Sequence, residues 1–290
     1  MPELPEVETT VNGLRIKVLN RTFIDIWTDS FSLIKKPPNF ADFKKAIKGR
    51  KILDIKRKGK NIVFYLSGGI VMLVHQKMTG HLLFGKWKKQ KEKWVSGLKG
   101  PLKEDPQNRF IRVVFFLNNG FQIALSDLRK FAKIEIWEKT TFNNGLVLNR
   151  LGPDAMEVSF DYFKKKIKSR KAKIKQVLMD QNFISGIGNI YSDEILFLAG
   201  VNPQIRANAI PLEKLKKIYK AMRNVLKLAV DNGGTSFSDY RNPNGIKGNF
   251  GNLTKVYRKT GQMCPQCKTE IKRLKIGGRS AHFCPNCQKI

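Results

Sequence analysis

The stretch Asn61-Ile-Val-Phe-Tyr-Leu-Ser-Gly-Gly-Ile-Val-Met-Leu-Val74 holds two short apolar runs separated by Ser67-Gly-Gly69. Short runs of β-branched and aromatic residues read as strands, and a glycine turn between two of them reads as a hairpin. The pattern extends outward to Lys51-Ile-Leu-Asp-Ile55, Ile111-Arg-Val-Val-Phe-Phe-Leu117, Phe121-Gln-Ile-Ala-Leu125 and Ala132-Lys-Ile-Glu-Ile-Trp137, with Asn118-Asn-Gly120 as a second turn. Strands this short and this closely turned predict an antiparallel β-sandwich or barrel filling the first half of the chain. Within it, Lys86 to Arg109 is lysine-rich and aperiodic, and is expected to be a surface loop or hairpin extension.

Upstream of the strands, Leu4, Val7, Val11, Leu14 and Val18 recur at steps of three and four, the stripe of an amphipathic helix. Its opening, Met1-Pro-Glu-Leu-Pro-Glu-Val-Glu-Thr-Thr10, carries three acids with no basic neighbour before Arg15. Two readings coexist. Proline at the first helical position and glutamates in the first turn are ordinary helix-start chemistry. If Met1 is removed, the same residues present a secondary amine at Pro2, and an α-amino group titrates near 7.7–8.0, so part of it is nucleophilic at neutral pH. Helical spacing places Glu3, Glu6 and Thr10 on one face beside it.

Downstream, Leu151-Gly-Pro-Asp154 marks a junction beyond which the apolar period changes to that of helices, near residues 160–168, 172–180, 190–199 and 211–230. The run from Thr235 to Gly251 is rich in glycine and asparagine and is expected to be a long flexible loop. The chain is therefore expected to be an α+β multidomain protein: a β-sandwich with an N-terminal helix over 1–150, a helical domain over 151–234, the loop over 235–251 and a small module over 252–290.

That module carries the most specific local signal. Cys264-Pro-Gln-Cys267 and Cys284-Pro-Asn-Cys287 are two paired knuckles, and four thiolates so spaced suit one tetrahedral structural zinc ion. No cysteine lies elsewhere, so a disulfide framework is excluded as the organising principle. Ile276-Gly-Gly-Arg-Ser-Ala-His-Phe283 reads as a hairpin with Arg279 at its tip, where a guanidinium can fork onto a phosphate.

The balance of 55 Lys and Arg against 23 Asp and Glu gives a formal charge of +32, which implies a polyanionic partner, nucleic acid first. No apolar run is long enough to span a membrane and the acidic start is unlike a signal peptide, so a cytoplasmic protein is expected. Lys164 to Lys175 holds eight basic residues and no acid. It precedes Asn182-Phe-Ile-Ser-Gly-Ile-Gly-Asn-Ile-Tyr191, where a glycine turn enters a helix and Asn189 stands beside unpaired backbone N–H groups, a phosphate site. In the β half, Lys60 closes a basic turn, and His75, Met78, Arg129 and Phe131 sit at strand ends. An apolar wedge with an arginine is what a protein needs to unstack a duplex and fill the gap.

Together, Met1-Pro-Glu-Leu-Pro-Glu-Val-Glu-Thr9, Met78-Thr-Gly80, Ile184-Ser-Gly-Ile-Gly-Asn-Ile-Tyr191 and Gly278-Arg-Ser-Ala-His-Phe-Cys-Pro-Asn-Cys287 resemble the bacterial formamidopyrimidine-DNA glycosylases, from the first residue to the last. The resemblance implies a β-sandwich, a helix-two-turns-helix domain and a zinc finger, with damaged duplex DNA bound between them by a monomer. It implies excision of oxidised purines followed by β,δ-elimination. Pro2 is then the nucleophile, Glu3 the general acid and Glu6 its support. Lys60 is the lysine of phosphate contact and β-elimination, and Arg279 the finger arginine of δ-elimination. His75, Lys171, Lys175 and Asn189 fall on phosphate-gripping positions, Met78, Arg129 and Phe131 on the inserted wedge, and 235–251 on the loop that closes over the extruded base. One departure is Asp127-Leu-Arg-Lys-Phe-Ala132, where the family has Asp-Pro-Arg-Arg-Phe-Gly. The competing readings are an endonuclease VIII-like enzyme for oxidised pyrimidines and a non-catalytic zinc-ribbon protein, which gives no reason for the Pro2-Glu3 start.

Overall fold

The predicted apolar stripe is the inner face of helix α1 (Leu4–Val18), whose Leu4, Val7, Val11, Leu14 and Val18 are all buried. A computed structural model describes every residue except Leu146. It divides the chain into two units, one of Met1–Asn149 with Asn232–Gly251 and one of Arg150–Asp231 with Asn252–Ile290.

In the first unit α1 is followed by β1 (Phe23–Thr28), β2 (Ile34–Lys36), α2 (Phe40–Ile47), β3 (Ile52–Lys58), β4 (Asn61–Leu66), β5 (Ile70–His75) and β6 (His81–Gly85). Next come a hairpin of β7 (Trp87–Gln90) and β8 (Lys93–Ser96), a single turn α3 (Pro101–Glu104), β9 (Ile111–Leu117), β10 (Gln122–Ser126), β11 (Lys133–Glu138) and α4 (Lys139–Asn143). Two sheets form, β1-β9-β10-β6 and β2-β11-β5-β4-β3, antiparallel throughout except where β2 lies parallel to β11. The opening hairpin is β4–β5, turned by Gly68 and Gly69 in left-handed conformation (φ 72° and 70°). Between the sheets, Phe23, Ile26, Phe115 and Ile123 meet Ile55, Phe64, Met72 and Ile134, and α1 and α2 add Val11, Leu14, Phe43 and Ile47. Each such side chain contributes about 1.5–3 kcal/mol by leaving water.

The lysine-rich stretch is more than a surface extension. Trp87, Trp94 and Leu102 pack on Leu83, Val114 and Phe116, so the β7–β8 segment covers the outer face of the four-stranded sheet with a second small core. Its tryptophans bind inward while Lys88, Lys89, Lys91 and Lys93 stay exposed.

The second unit holds α5 (Phe160–Lys168), α6 (Ile174–Met179), α7 (Asn189–Leu198) and α8 (Leu212–Asp231), then a hairpin of β12 (Lys272–Ile276) and β13 (Arg279–Phe283). Helix α8 buries Leu215, Ile218, Met222, Leu226 and Ala229, the 3.6-residue stripe that packs it on α7. On its other side α7 meets β13, and Phe197 joins Val256, Ile271, Cys264 and Cys284 in one cluster.

Candidate active site and nucleic-acid surface

The acids of the opening stretch organise the start of α1. Glu3 is the N-cap, with extended backbone (φ −104°, ψ −169°), and forms a capping box with Glu6. Pro5, not Pro2, occupies the first turn, so Pro2 precedes the helix instead of beginning it. The reciprocal Glu3–Glu6 cap sets the helix start, and Pro2, Glu3 and Glu6 are all buried. One oxygen of the Glu6 carboxylate accepts the Glu3 N–H at 2.7 Å and the other accepts the Thr235 N–H at 2.7 Å. The Tyr240 hydroxyl donates to the Glu6 carbonyl at 3.0 Å. Gly234 (φ 77°) is required here, because a Cβ on it would stand 2.8 Å from a Glu6 carboxylate oxygen. Residues 235–251, expected as a long flexible loop, are thus built onto the start of α1.

Lys60 follows Gly59 in the β3–β4 turn and is largely buried. Burial, then the charges of Lys77, Lys60 and Lys133, holds the His75 imidazole down at about 3. His75 is therefore neutral at pH 7. Its Nδ1 accepts the Lys77 N–H at 3.0 Å, which leaves the ring proton on Nε2 as a donor. Neighbouring lysines that repel one another are what an anionic ligand relieves.

Met78 and Phe131 are exposed apolar side chains, and the Arg129 guanidinium lies 4.5 Å from the Phe131 ring centroid. One residue that sequence reasoning did not single out ties these turns together. Asp127, fully buried, accepts the Thr79 hydroxyl and the Arg129 N–H (3.3 Å) on one oxygen, and the Phe131 and Ala132 N–H groups (2.8 Å each) on the other. The signal was present as an aspartate opening a turn, whose side chain commonly caps its own backbone.

In the second unit, Arg279 is exposed beside the Gly277–Gly278 turn, both glycines having positive φ. Lys171 is exposed ahead of α6. Asn189 lies at the N-terminus of α7, and its Oδ1 is buried without a hydrogen-bond partner among the described residues. Lys175 differs from expectation. It is fully buried and its ammonium donates to Asp193 at 2.5 Å, because an ammonium taken out of water needs a countercharge. It therefore ties α6 to α7 from within. Asp193 also accepts the His282 backbone N–H (3.0 Å) and pairs with His282 Nδ1 (2.9 Å), while Glu194 accepts the N–H groups of Lys255, Val256 and Tyr257. Two adjacent acids of α7 thus hold the cysteine module in place.

The four cysteine sulfurs lie within 4.8 Å of one another, with Cys264 and Cys287 3.8 Å apart and Cys267 and Cys284 3.4 Å apart. Four ligands about 2.3 Å from one zinc ion, set at tetrahedral angles, stand roughly 3.8 Å apart, so the donor set fits. Burial and the neighbouring sulfurs push the Cys287 thiol up, a cost that a divalent cation removes.

Residues 1–134 match the formamidopyrimidine-DNA glycosylase N-terminal domain, 151–241 its H2TH domain, and 261–290 the zinc finger found in FPG and IleRS. The formamidopyrimidine-DNA glycosylase of Solibacter usitatus is 39% identical over the whole of both chains, and that of Pelotomaculum thermopropionicum 35% identical over the whole of both. The chain belongs to the formamidopyrimidine-DNA glycosylase family. A mutant of the Lactococcus lactis FPG, solved in complex with Fapy-dG-containing DNA, superimposes with a TM-score of 0.87 at 27% identity over the full length of both chains. MutM bound to carbocyclic 8-oxo-G DNA superimposes at 0.86, also at 27% identity and full coverage. The endonuclease VIII-like and zinc-ribbon readings give way to this family, whose members match the chain end to end.

Proposed function

We propose that Pro2 is the nucleophile of this enzyme, a DNA glycosylase of base excision repair with AP-lyase activity that removes oxidised purines from damaged duplex DNA as a monomer. The observation that carries the assignment is the burial of Pro2 directly ahead of the Glu3–Glu6 cap. Once Met1 is gone, the secondary amine attacks the sugar C1′, the glycosidic bond breaks and the base leaves with its electron pair. Glu3, adjoining the amine, supplies the proton that this departure or the opening of the sugar ring requires. The product is an iminium ion, a permanent cation and electron sink, so a C2′ proton becomes acidic and the 3′ phosphate leaves. Lys60 serves this β-elimination and Arg279 the δ-elimination that releases the 5′ phosphate. Lys171, the neutral His75 and Asn189 grip phosphates, and Met78, Arg129 and Phe131 fill the gap left by the extruded nucleotide. The four cysteines hold one structural zinc ion, which supplies a rigid finger and no step of the chemistry. No helix of the described residues is long and apolar enough to cross a membrane, and we place the enzyme in the cytoplasm on nucleoid DNA.

The test is borohydride reduction in the presence of an 8-oxoguanine duplex. A covalent adduct forms and maps to Pro2. Tight binding with no trapped adduct overturns the assignment, and faster turnover on an oxidised pyrimidine moves the enzyme to the rival substrate class.

A further inference from the structure

We propose that Asp105, Asn108 and Arg241 are positioning residues for lesion selection, forming a clasp that holds the 235–251 segment in a base-receiving shape; this rests on the assignment of that segment to the extruded base. The Arg241 side chain is only 4% exposed, and among the described residues its hydrogen bonds go to the segment and to Asp105. Its Nε donates to Asp105 at 2.7 Å, and one terminal nitrogen donates to the carbonyls of Ser238 and Tyr240, both at 2.8 Å. The other Asp105 oxygen accepts the Gln107 N–H at 2.9 Å, which fixes the carboxylate on the chain entering β9. Burial opposes ionisation of Asp105, but the Arg241 contact and the Gln107 N–H outweigh it and hold the carboxyl below its ordinary value.

Asn108 adds a second tie. It is 1% exposed, and its amide nitrogen donates to Gly245 O at 3.1 Å and Pro101 O at 2.8 Å while its oxygen faces His81 Nε2 at 3.1 Å. Gly245 has φ 79°, and a Cβ there would lie 2.6 Å from that amide, so the close approach depends on glycine. The edge strand β6 contributes a third tie, the Phe84 N–H donating to Pro243 O at 2.8 Å. Between the ties the segment closes on itself, with Asn242 capping the turn to Ile246.

The segment is therefore fixed at both ends. Its base is bonded to Glu6 and its far turn to the lysine-rich stretch, while Ser238, Ile246 and Lys247 remain exposed between and beside the ties. A loop ordered before it meets the base forfeits less conformational freedom on binding than a free one, and the gain applies only to a substrate that still has a base to hold. The clasp thus predicts a split between two activities of one site.

Arg241→Leu and Asp105→Leu are compared with wild type in single-turnover excision of 8-oxoguanine and in cleavage of a preformed abasic site in the same duplex. We expect excision to slow at least tenfold with abasic-site cleavage within twofold of wild type, and faster hydrogen exchange across 236–248 with none across 61–74. Arg241→Lys keeps the ion pair and recovers most of the excision rate, so the outcome does not depend on how well the leucine variants fold. Loss of both activities in equal proportion for Arg241→Lys, or loss of neither in any variant, overturns the proposal. Absence of both activities in the wild type would instead strike the glycosylase reading.

Discussion

Glu6 in the first unit and Glu194 in the second are the same device put to different ends. Both are buried helix glutamates whose carboxylates grip backbone N–H groups, those of Glu3 and Thr235 for Glu6 and those of Lys255, Val256 and Tyr257 for Glu194. Glu194 holds the entry to the finger. Its partners are three consecutive residues entering the finger, and burial pushes its carboxyl up against the pull of those N–H groups. Glu6 holds the residue that follows Pro2 and the first residue of the 235–251 segment, so these bonds join the mounting of the proposed nucleophile to the loop. The same kind of interaction holds a finger in one place and, in the proposed reaction, the nucleophile's mounting in the other.

The largest expected effect breaks that distinction or keeps it. One residue retained ahead of Pro2 turns its amine into an amide with no available lone pair, and base excision and strand cleavage should both fall by about three orders of magnitude or more. Activity within tenfold of the free-amine protein would reduce Glu6 to a second Glu194. Zinc removal comes next. Structural sites of this kind bind zinc with roughly 10–16 kcal/mol, so chelation should unfold the finger and abolish cleavage, checked by circular dichroism, metal content and a nicking assay. Active protein lacking stoichiometric metal contradicts this.

Glu194→Ala should then cost roughly 2–4 kcal/mol of stability by stranding buried donors, and should lower DNA affinity without touching the excision rate of bound substrate. Glu6→Gln sharpens the contrast: about 1–3 kcal/mol of stability from one misplaced amide, but an excision rate cut by far more than the melting shift accounts for. Equal profiles for the two variants in a kcat-against-KM comparison would dissolve the difference between the units.

The smallest effect is with pH. His81 is buried in the first unit, where desolvation outweighs its contacts to Asn108 and Thr79 and holds it at about 4. The unfolded chain, at about 6.5, binds that proton first, so the histidine's contribution is complete above pH 6.5 and gone below pH 4. Denaturant melts should show on the order of 2 kcal/mol more lost by pH 5 in the wild type than in His81→Gln, because the depressed His75 titrates alike in both.

How much of this was legible in the sequence follows the range of the interactions. The α1 stripe, the β4–β5 hairpin and helices α5 to α8 were readable because period and turn chemistry are local. The cysteine knuckles were readable because metal geometry constrains spacing. Strands β1 and β6 were missed, as was the tryptophan core beneath β7–β8, since Trp87 and Trp94 sit among lysines that mask any alternation. The polar ties were least visible. Nothing within ten residues of Arg241 announces Asp105, and Lys175 within a basic run gives no hint that Asp193 draws it inside. The segment 235–251 lacks periodicity because its order comes from such distant partners.

Asp127 carries a last consequence. A single carboxylate fastened to both the Thr79 turn and the Arg129–Phe131 turn makes the exposed methionine, arginine and phenylalanine one rigid tool, its shape settled during folding before any duplex arrives. In the wedge role proposed for these three residues, a shape fixed in advance asks a base stack to yield, which a weakened stack does at lower cost than a sound one.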